Sequence, residues 1–190
     1  MSIESSLSAA VGLSQAGQYE EAMALACVAL DATAAAEGRG SKPTARCREF
    51  IKANLDIITN VWFSGTLTVK AGIDPPKLKD PRAPERCVSV DKIILGAVRG
   101  SVIHGASLPE GAFFTTDAFY GERDNGEFHI PVALIYGLIV AVLASPKNAS
   151  HRFGTDVVIT RGERRLELEH LWGRPDLVRE QLGIHELFPA

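Results

Sequence analysis

The distribution of apolar residues predicts a helix in each of four stretches of the chain. The first, 19–38, is rich in alanine and leucine and ends at a glycine. The second, 43–62, opens with a proline and carries one apolar stripe. The third, 89–105, begins at Ser89, a favourable N-cap. The fourth, 131–145, has no charged residue, which predicts a helix buried at the centre of a bundle.

Alternating residues and turn signals predict short strands between and after these helices. A weak strand is expected at 63–72, and an exposed, proline-rich connection at 74–86. Residues 113–130 are β-prone around an Asp-Asn-Gly turn, and 155–173 alternate on both sides of an Arg-Gly-Glu turn, as a β-hairpin does. A short helix is expected at 174–183. The predicted fold is therefore mainly α, a bundle of four or five helices with short strands and a C-terminal β-hairpin.

Length and composition indicate one folded domain with appendages. Residues 1–18 are an N-terminal segment, 19–150 the helical bundle, and 151–190 the β-hairpin with a short C-terminal helix packed on the bundle. Hydrophobic residues make up 46% and charged residues 23% of the 190-residue chain, which argues against disorder. The net charge of -3 excludes a globally basic nucleic-acid binder but allows a local basic patch.

Neither a targeting segment nor a metal site is predicted. The N-terminus lacks the basic and long apolar regions of a signal peptide, and 131–145 is shorter than the roughly 18 residues that span a bilayer. We therefore expect a cytoplasmic protein with no membrane partner.

The three cysteines are widely spaced and the histidines lack metal-binding spacing, so we expect no disulfide, metal or cofactor. Glu127 and His129 would share a side only in a strand, and no role is assigned to them.

The third predicted helix carries one arginine and one histidine, Arg99 and His104, among nearly uncharged residues. Five residues of α-helix turn through about 500°, so the two Cα atoms would lie about 140° apart and about 7.5 Å along the axis. A long guanidinium and an imidazole so placed can converge on one small group. Histidine can move the proton of a ribose 2′-hydroxyl, and arginine binds phosphate oxygens in a fork. The pair therefore suits phosphodiester cleavage without a metal.

The string Arg-Gly-Ser-Val-Ile-His at 99–104 resembles the R-x4-6-H signature of the HEPN superfamily (higher eukaryotes and prokaryotes nucleotide-binding). The resemblance covers roughly 19–150 and not the hairpin that follows. It implies a compact helical bundle, and many such bundles are metal-independent endoribonucleases of toxin–antitoxin and other defence systems. It also implies catalytic roles for Arg99 and His104, a homodimer whose motif helices face each other across one composite site, RNA as the substrate, and an antitoxin or other partner protein.

Two other functions stay open. The family often has a polar residue directly after the arginine, whereas this chain has Gly100. A catalytically inactive HEPN-like interaction module is therefore the first alternative, with Arg99 bound to an acid or to carbonyl groups and His104 in the core. Gly96 and Gly100 lie four positions apart, and such a glycine stripe forms a shallow groove. That groove would suit a nucleotide or small-molecule sensor, the second alternative, or the close approach of a second protomer.

Four further residues are candidates for supporting roles. Asp31 interrupts an apolar run, and a buried carboxylate requires a partner. It would either pair with Arg99 and orient it, or lie at the surface or in a local hydrogen bond. Between residues 39 and 52, basic side chains outnumber the single acid Glu49, which indicates either an RNA-backbone patch or a solvated helix face. The candidate RNA contacts are Arg46, Arg48 and Lys52.

Overall fold

The structure, a computed structural model, describes residues 2–62, 77–80, 83–95, 108, 111–117, 121–153, 156–161 and 164–184. These residues are mainly α-helical, with short strands and a C-terminal β-hairpin, as predicted. The helices are α1 (Ile3–Gln15), α2 (Tyr19–Ala36), α3 (Pro43–Ala53), α4 (Leu55–Trp62), α5 (Val90–Ile93), α6 (Ala133–Ala144) and α7 (Pro175–Leu182). The strands are β1 (Lys77–Asp80), β2 (Ala83–Ser89), β3 (Ala112–Thr115), β4 (Gly121–Glu122), β5 (Phe128–Pro131), β6 (Val158–Arg161) and β7 (Arg164–Glu167).

No helix is predicted from the pattern of residues 1–18, yet α1 lies there and packs against α2. Its N-terminus is a capping box, in which the Ser5 amide donates to Ser2 Oγ at 3.3 Å and the Ser2 amide donates to Ser5 Oγ at 3.0 Å. Leu7 and Val11 are buried in the same core as the rest of the bundle. The many small residues of this segment weaken its helical pattern in the sequence. The helix is stabilised by packing against α2, which the sequence pattern does not show.

The single helix predicted at 43–62 is interrupted at Asn54. This residue leaves the helical region (φ -118°, ψ 19°), and its Nδ2 donates to the carbonyl oxygen of Phe50 at 3.0 Å. Asparagine side chains compete with the backbone for such hydrogen bonds, which disfavours helix interiors. With α1 and this interruption, the described residues contain six helices of eight residues or more, together with the short α5, rather than four or five.

Helix α6 occupies the centre of the bundle, which confirms the prediction made for 131–145. Leu138 and its neighbours are fully buried. The helix crosses α4 so closely that a Cβ added at Gly137 would lie 2.7 Å from the carbonyl oxygen of Ile58. Among the helices of the described residues, none is both long and apolar enough to cross a membrane.

Within the described ranges the strands form three small sheets. Strands β1 and β2 form an antiparallel hairpin, with Leu78 opposite Val88, where the pattern predicts only an exposed connection. That prediction is therefore wrong in part, because the pairing of two separated segments overrides their proline content. The strand predicted at 63–72 lies outside the described residues.

The two other predicted strand regions are confirmed. In the second sheet the central β5 runs parallel to β3 and antiparallel to β4. A turn joins β4 to β5, where Gly126 adopts φ +81° and its amide donates to the carbonyl oxygen of Arg123 at 2.8 Å. At the C-terminal end, β6 and β7 form the predicted hairpin with Ile159 opposite Leu166, and α7 follows.

Candidate functional site

Arg99 and His104, the predicted catalytic pair, lie outside the residues that the structure describes, and so do the two glycines of the predicted groove. The described part of their predicted helix is its start. Ser89 ends β2, α5 follows directly, and Leu95 is buried against the core. The contacts of this start, at residues 89–95, are those that the structure describes.

Asp31 lies on α2 and is bound by Arg46 of α3. Arg46 donates from Nε to Asp31 Oδ1 and from Nη2 to Oδ2, both at 2.9 Å, which is the bidentate geometry of an arginine–carboxylate pair. The thiol of Cys47 also donates to Asp31 Oδ1, at 3.1 Å. The hydrogen bonds that Arg46 itself donates to Asp31 raise the pKa of the Arg46 guanidinium above its usual value. The carboxylate therefore joins α2 to α3 through two adjacent residues.

A second ion pair joins α3 to the first turn of α5. Arg48 Nε lies 3.4 Å from Asp91 Oδ2, and the Asp91 side chain is only 1% exposed whereas that of Arg48 is 42% exposed. Within the described part of the chain, neither oxygen of Asp91 accepts a hydrogen bond. The Arg48 guanidinium is there the opposite charge that offsets the cost of burying this carboxylate. Arg48 therefore holds the start of the segment that leads to Arg99.

The candidate RNA contacts are thus not three equivalent surface cations. Arg46 and Arg48 each have a carboxylate partner, while Lys52 is exposed on the same helix. All three lie on α3, which packs on both α2 and α5. RNA binding by this helix stays a prediction. The same holds for a contact between Asp31 and Arg99, since Arg99 lies outside the described residues.

Glu127 and His129, to which the sequence assigns no role, do come together. His129 lies on β5, where successive side chains alternate, and its Nε2 is 3.2 Å from Glu127 Oε2. The His129 ring also contacts the ring of Phe113, with centroids 6.4 Å apart. The two-residue spacing within a β-prone stretch is the sequence signal that could have found this pair. Hydrogen bonds, first from Asn125 and then from His129, lower the pKa of the Glu127 carboxyl.

No group of three or more histidine, cysteine or acidic side chains within the described ranges is arranged to hold a metal ion.

Comparison with known proteins identifies a family. The model of the Rv1289 family matches residues 2–188, and the chain belongs to this family. The description of that family names no activity, ligand or partner. No curated protein matches the chain, and no solved structure does.

Proposed function

We propose that this member of the Rv1289 family is a metal-independent endoribonuclease of HEPN type. The observation that carries the proposal is the Arg48–Asp91 ion pair at 3.4 Å. It sets the basic helix α3 against the first turn of α5, directly before the segment that contains Arg99 and His104. Arg48 is still 42% exposed and Lys52 is exposed, so α3 offers cations to an RNA backbone, which requires charge neutralisation along the strand.

The proposed reaction needs only the RNA and two side chains. His104 takes the proton of a ribose 2′-hydroxyl, whose oxygen then attacks the adjacent phosphorus. The bond from phosphorus to the 5′-oxygen breaks, and the leaving oxygen is protonated by a histidine in its acid form. Arg99 binds the nonbridging phosphate oxygens and stabilises their charge in the transition state. The products carry a 2′,3′-cyclic phosphate and a free 5′-hydroxyl.

The proposal extends to assembly and context. The protein acts in the cytoplasm as a homodimer whose 89–105 segments meet across a two-fold axis, because a composite site requires both protomers. Its setting is a defence or toxin–antitoxin system, with an antitoxin or other protein as partner. Light scattering at micromolar concentration should give about 41 kDa, twice the chain mass of 20.4 kDa. A monomer at that concentration would contradict the composite site.

The deciding experiment is cleavage of single-stranded RNA in the presence of EDTA. Wild type should cut RNA to cyclic-phosphate products and leave DNA intact, since DNA lacks the attacking hydroxyl. His104→Ala should abolish cleavage, and Arg99→Lys should reduce it severely because lysine lacks the planar fork. His170→Ala and Arg165→Lys are matched controls at exposed positions of the C-terminal hairpin region and should cut as wild type does. If a folded wild-type dimer cuts no RNA, the nuclease proposal fails.

One observation favours the alternative function, a catalytically inactive HEPN-like interaction module. The Nε and Nη2 donors of Arg46, which form one edge of its guanidinium, are already bound to the Asp31 carboxylate, and this leaves the arginine less available to phosphate. Together with Gly100 after Arg99, this suits a bundle that keeps the fold without the reaction. Under this alternative, the folded wild type cuts no RNA, and Arg46→Gln affects stability alone.

A further inference from the structure

A cleft of about 430 Å³ opens between the first turn of α2 and strand β3. This volume lies within the range of roughly 300–1,000 Å³ that small-molecule sites occupy. Aromatic rings line two of its sides. Tyr19 and Phe114 contact each other with ring centroids 6.0 Å apart, and Phe113 is 48% exposed. A phenylalanine left this exposed beside a cleft is apolar surface available to a ligand.

The charged side chains that line the cleft among the described residues are both acidic. Glu20 and Glu21 belong to the first turn of α2, and neither forms an ion pair with a residue that the structure describes. None of the described residues that line the cleft is basic. Acidic residues suit a helix N-terminus, where the macrodipole amounts to about half a positive charge. Two carboxylates exceed that charge, so the described lining of the cleft carries a net negative charge.

This combination selects a class of ligand. Phosphates and carboxylates are disfavoured, because they would meet two like charges without a basic side chain among the described lining residues. A neutral ligand would use the rings but leave the carboxylates without a partner. A small apolar molecule that carries a positive charge would contact both the rings and the carboxylates. Aromatic faces attract alkylammonium groups, and the carboxylates supply the opposite charge.

We propose that the cleft lined by Tyr19, Glu20, Glu21, Phe113 and Phe114 binds a small organic cation of the alkylammonium class. The cleft residues lie on α2 and β3, and none of them is among the proposed nuclease residues. The choline titration and the RNA-cleavage assay therefore test different side chains, and either proposal can fail without the other.

The test is a titration of the full chain followed by amide chemical shifts in NMR spectra. Choline is the probe, and 3,3-dimethylbutan-1-ol, which has the same shape without the charge, is the matched comparison. Choline should give saturable shifts at residues 19–21 and 112–114, weakening as salt is added. The uncharged alcohol should give much smaller shifts at the same concentrations.

Variants then separate charge from ring contact. The double variant Glu20→Gln/Glu21→Gln should weaken choline binding about tenfold, and Phe113→Ala about two- to fivefold. Glu180→Gln, an exposed acid on α7, is the control and should bind as wild type does. The NMR spectrum of each variant reports directly whether it is folded. Absence of saturable choline shifts in wild type, equal shifts from the alcohol, or undiminished binding by the folded double variant would each overturn the proposal.

Discussion

Arg46 binds both carboxylate oxygens of Asp31, with its Nε and its Nη2 each 2.9 Å from one oxygen. The two residues lie on successive helices, and the side chains are 23% and 25% exposed. An arginine paired in this way stabilises the contact between the two helices by its charge and also by its two parallel hydrogen bonds. The pair therefore allows a test that separates the two contributions.

Replacing Arg46 by lysine keeps the charge and removes the fork. We expect Arg46→Lys to lower the melting temperature, because one ammonium cannot bond both oxygens in the same plane. Asp31→Asn should lower it further, since it also weakens the acceptor of the Cys47 thiol. Lys52→Gln, an exposed change on the same helix, is the control and should melt with wild type. Equal melting of Arg46→Lys and wild type would show that charge alone matters here.

The centre of the bundle should be sensitive to lost volume. Leu138 of α6 is fully buried, so Leu138→Ala removes methyl groups and leaves a cavity. The free energy of unfolding should fall by about 2–5 kcal/mol, measured by denaturant titration. Leu177→Ala, at a partly buried position on α7, should cost clearly less. A loss near zero at Leu138 would mean that the core repacks without penalty.

Two glycines in helices should respond to alanine in opposite directions. Gly137→Ala places a Cβ 2.7 Å from the carbonyl oxygen of Ile58, so α4 and α6 must separate. We expect a loss of about 1–3 kcal/mol in the free energy of unfolding. Gly12→Ala on α1 meets no atom within 4 Å and should gain about 0.4–1 kcal/mol, because alanine has less backbone entropy to lose. If both variants are stabilised, the close crossing of α4 and α6 is absent.

The N-terminus of α1 should contribute stability that depends on pH. The pKa of the Glu4 carboxyl is lowered, first by a hydrogen bond to its own backbone amide and then by Ser2 and His151. Because the folded protein favours the ionised form, this stabilisation is present above the ordinary pKa of a glutamate. It is lost as the pH falls through the lowered pKa. Glu4→Gln should therefore melt below wild type at neutral pH, and the difference should shrink in acid.

The control for Glu4 is Glu180→Gln, at an exposed acid on α7. Its melting temperature should follow that of wild type across the same pH range. A difference between Glu4→Gln and wild type that stays constant from neutral pH into acid would contradict the assignment to ionisation.

Local patterns were enough to predict the mainly α fold, the buried helix at 131–145 and the C-terminal hairpin. These elements carry their signal within a few residues, as helical or alternating periodicity or as a turn. Asp31 is a candidate because a carboxylate is costly in an apolar run, but the sequence does not indicate Arg46 as its partner. The catalytic roles of Arg99 and His104 stay predictions, since both lie outside the described residues.

Only the tertiary structure decided which residues meet. It paired Asp31 with Arg46 and Arg48 with Asp91, and it added α1 to the core. Such contacts depend on how separate elements pack, and no periodicity within either partner encodes the other. The acidic aromatic cleft has the same origin, because Tyr19 and Phe114 become neighbours only when β3 lies beside the first turn of α2. Burial and proximity are properties of the packed chain, which is why sequence patterns predicted the elements but not these contacts.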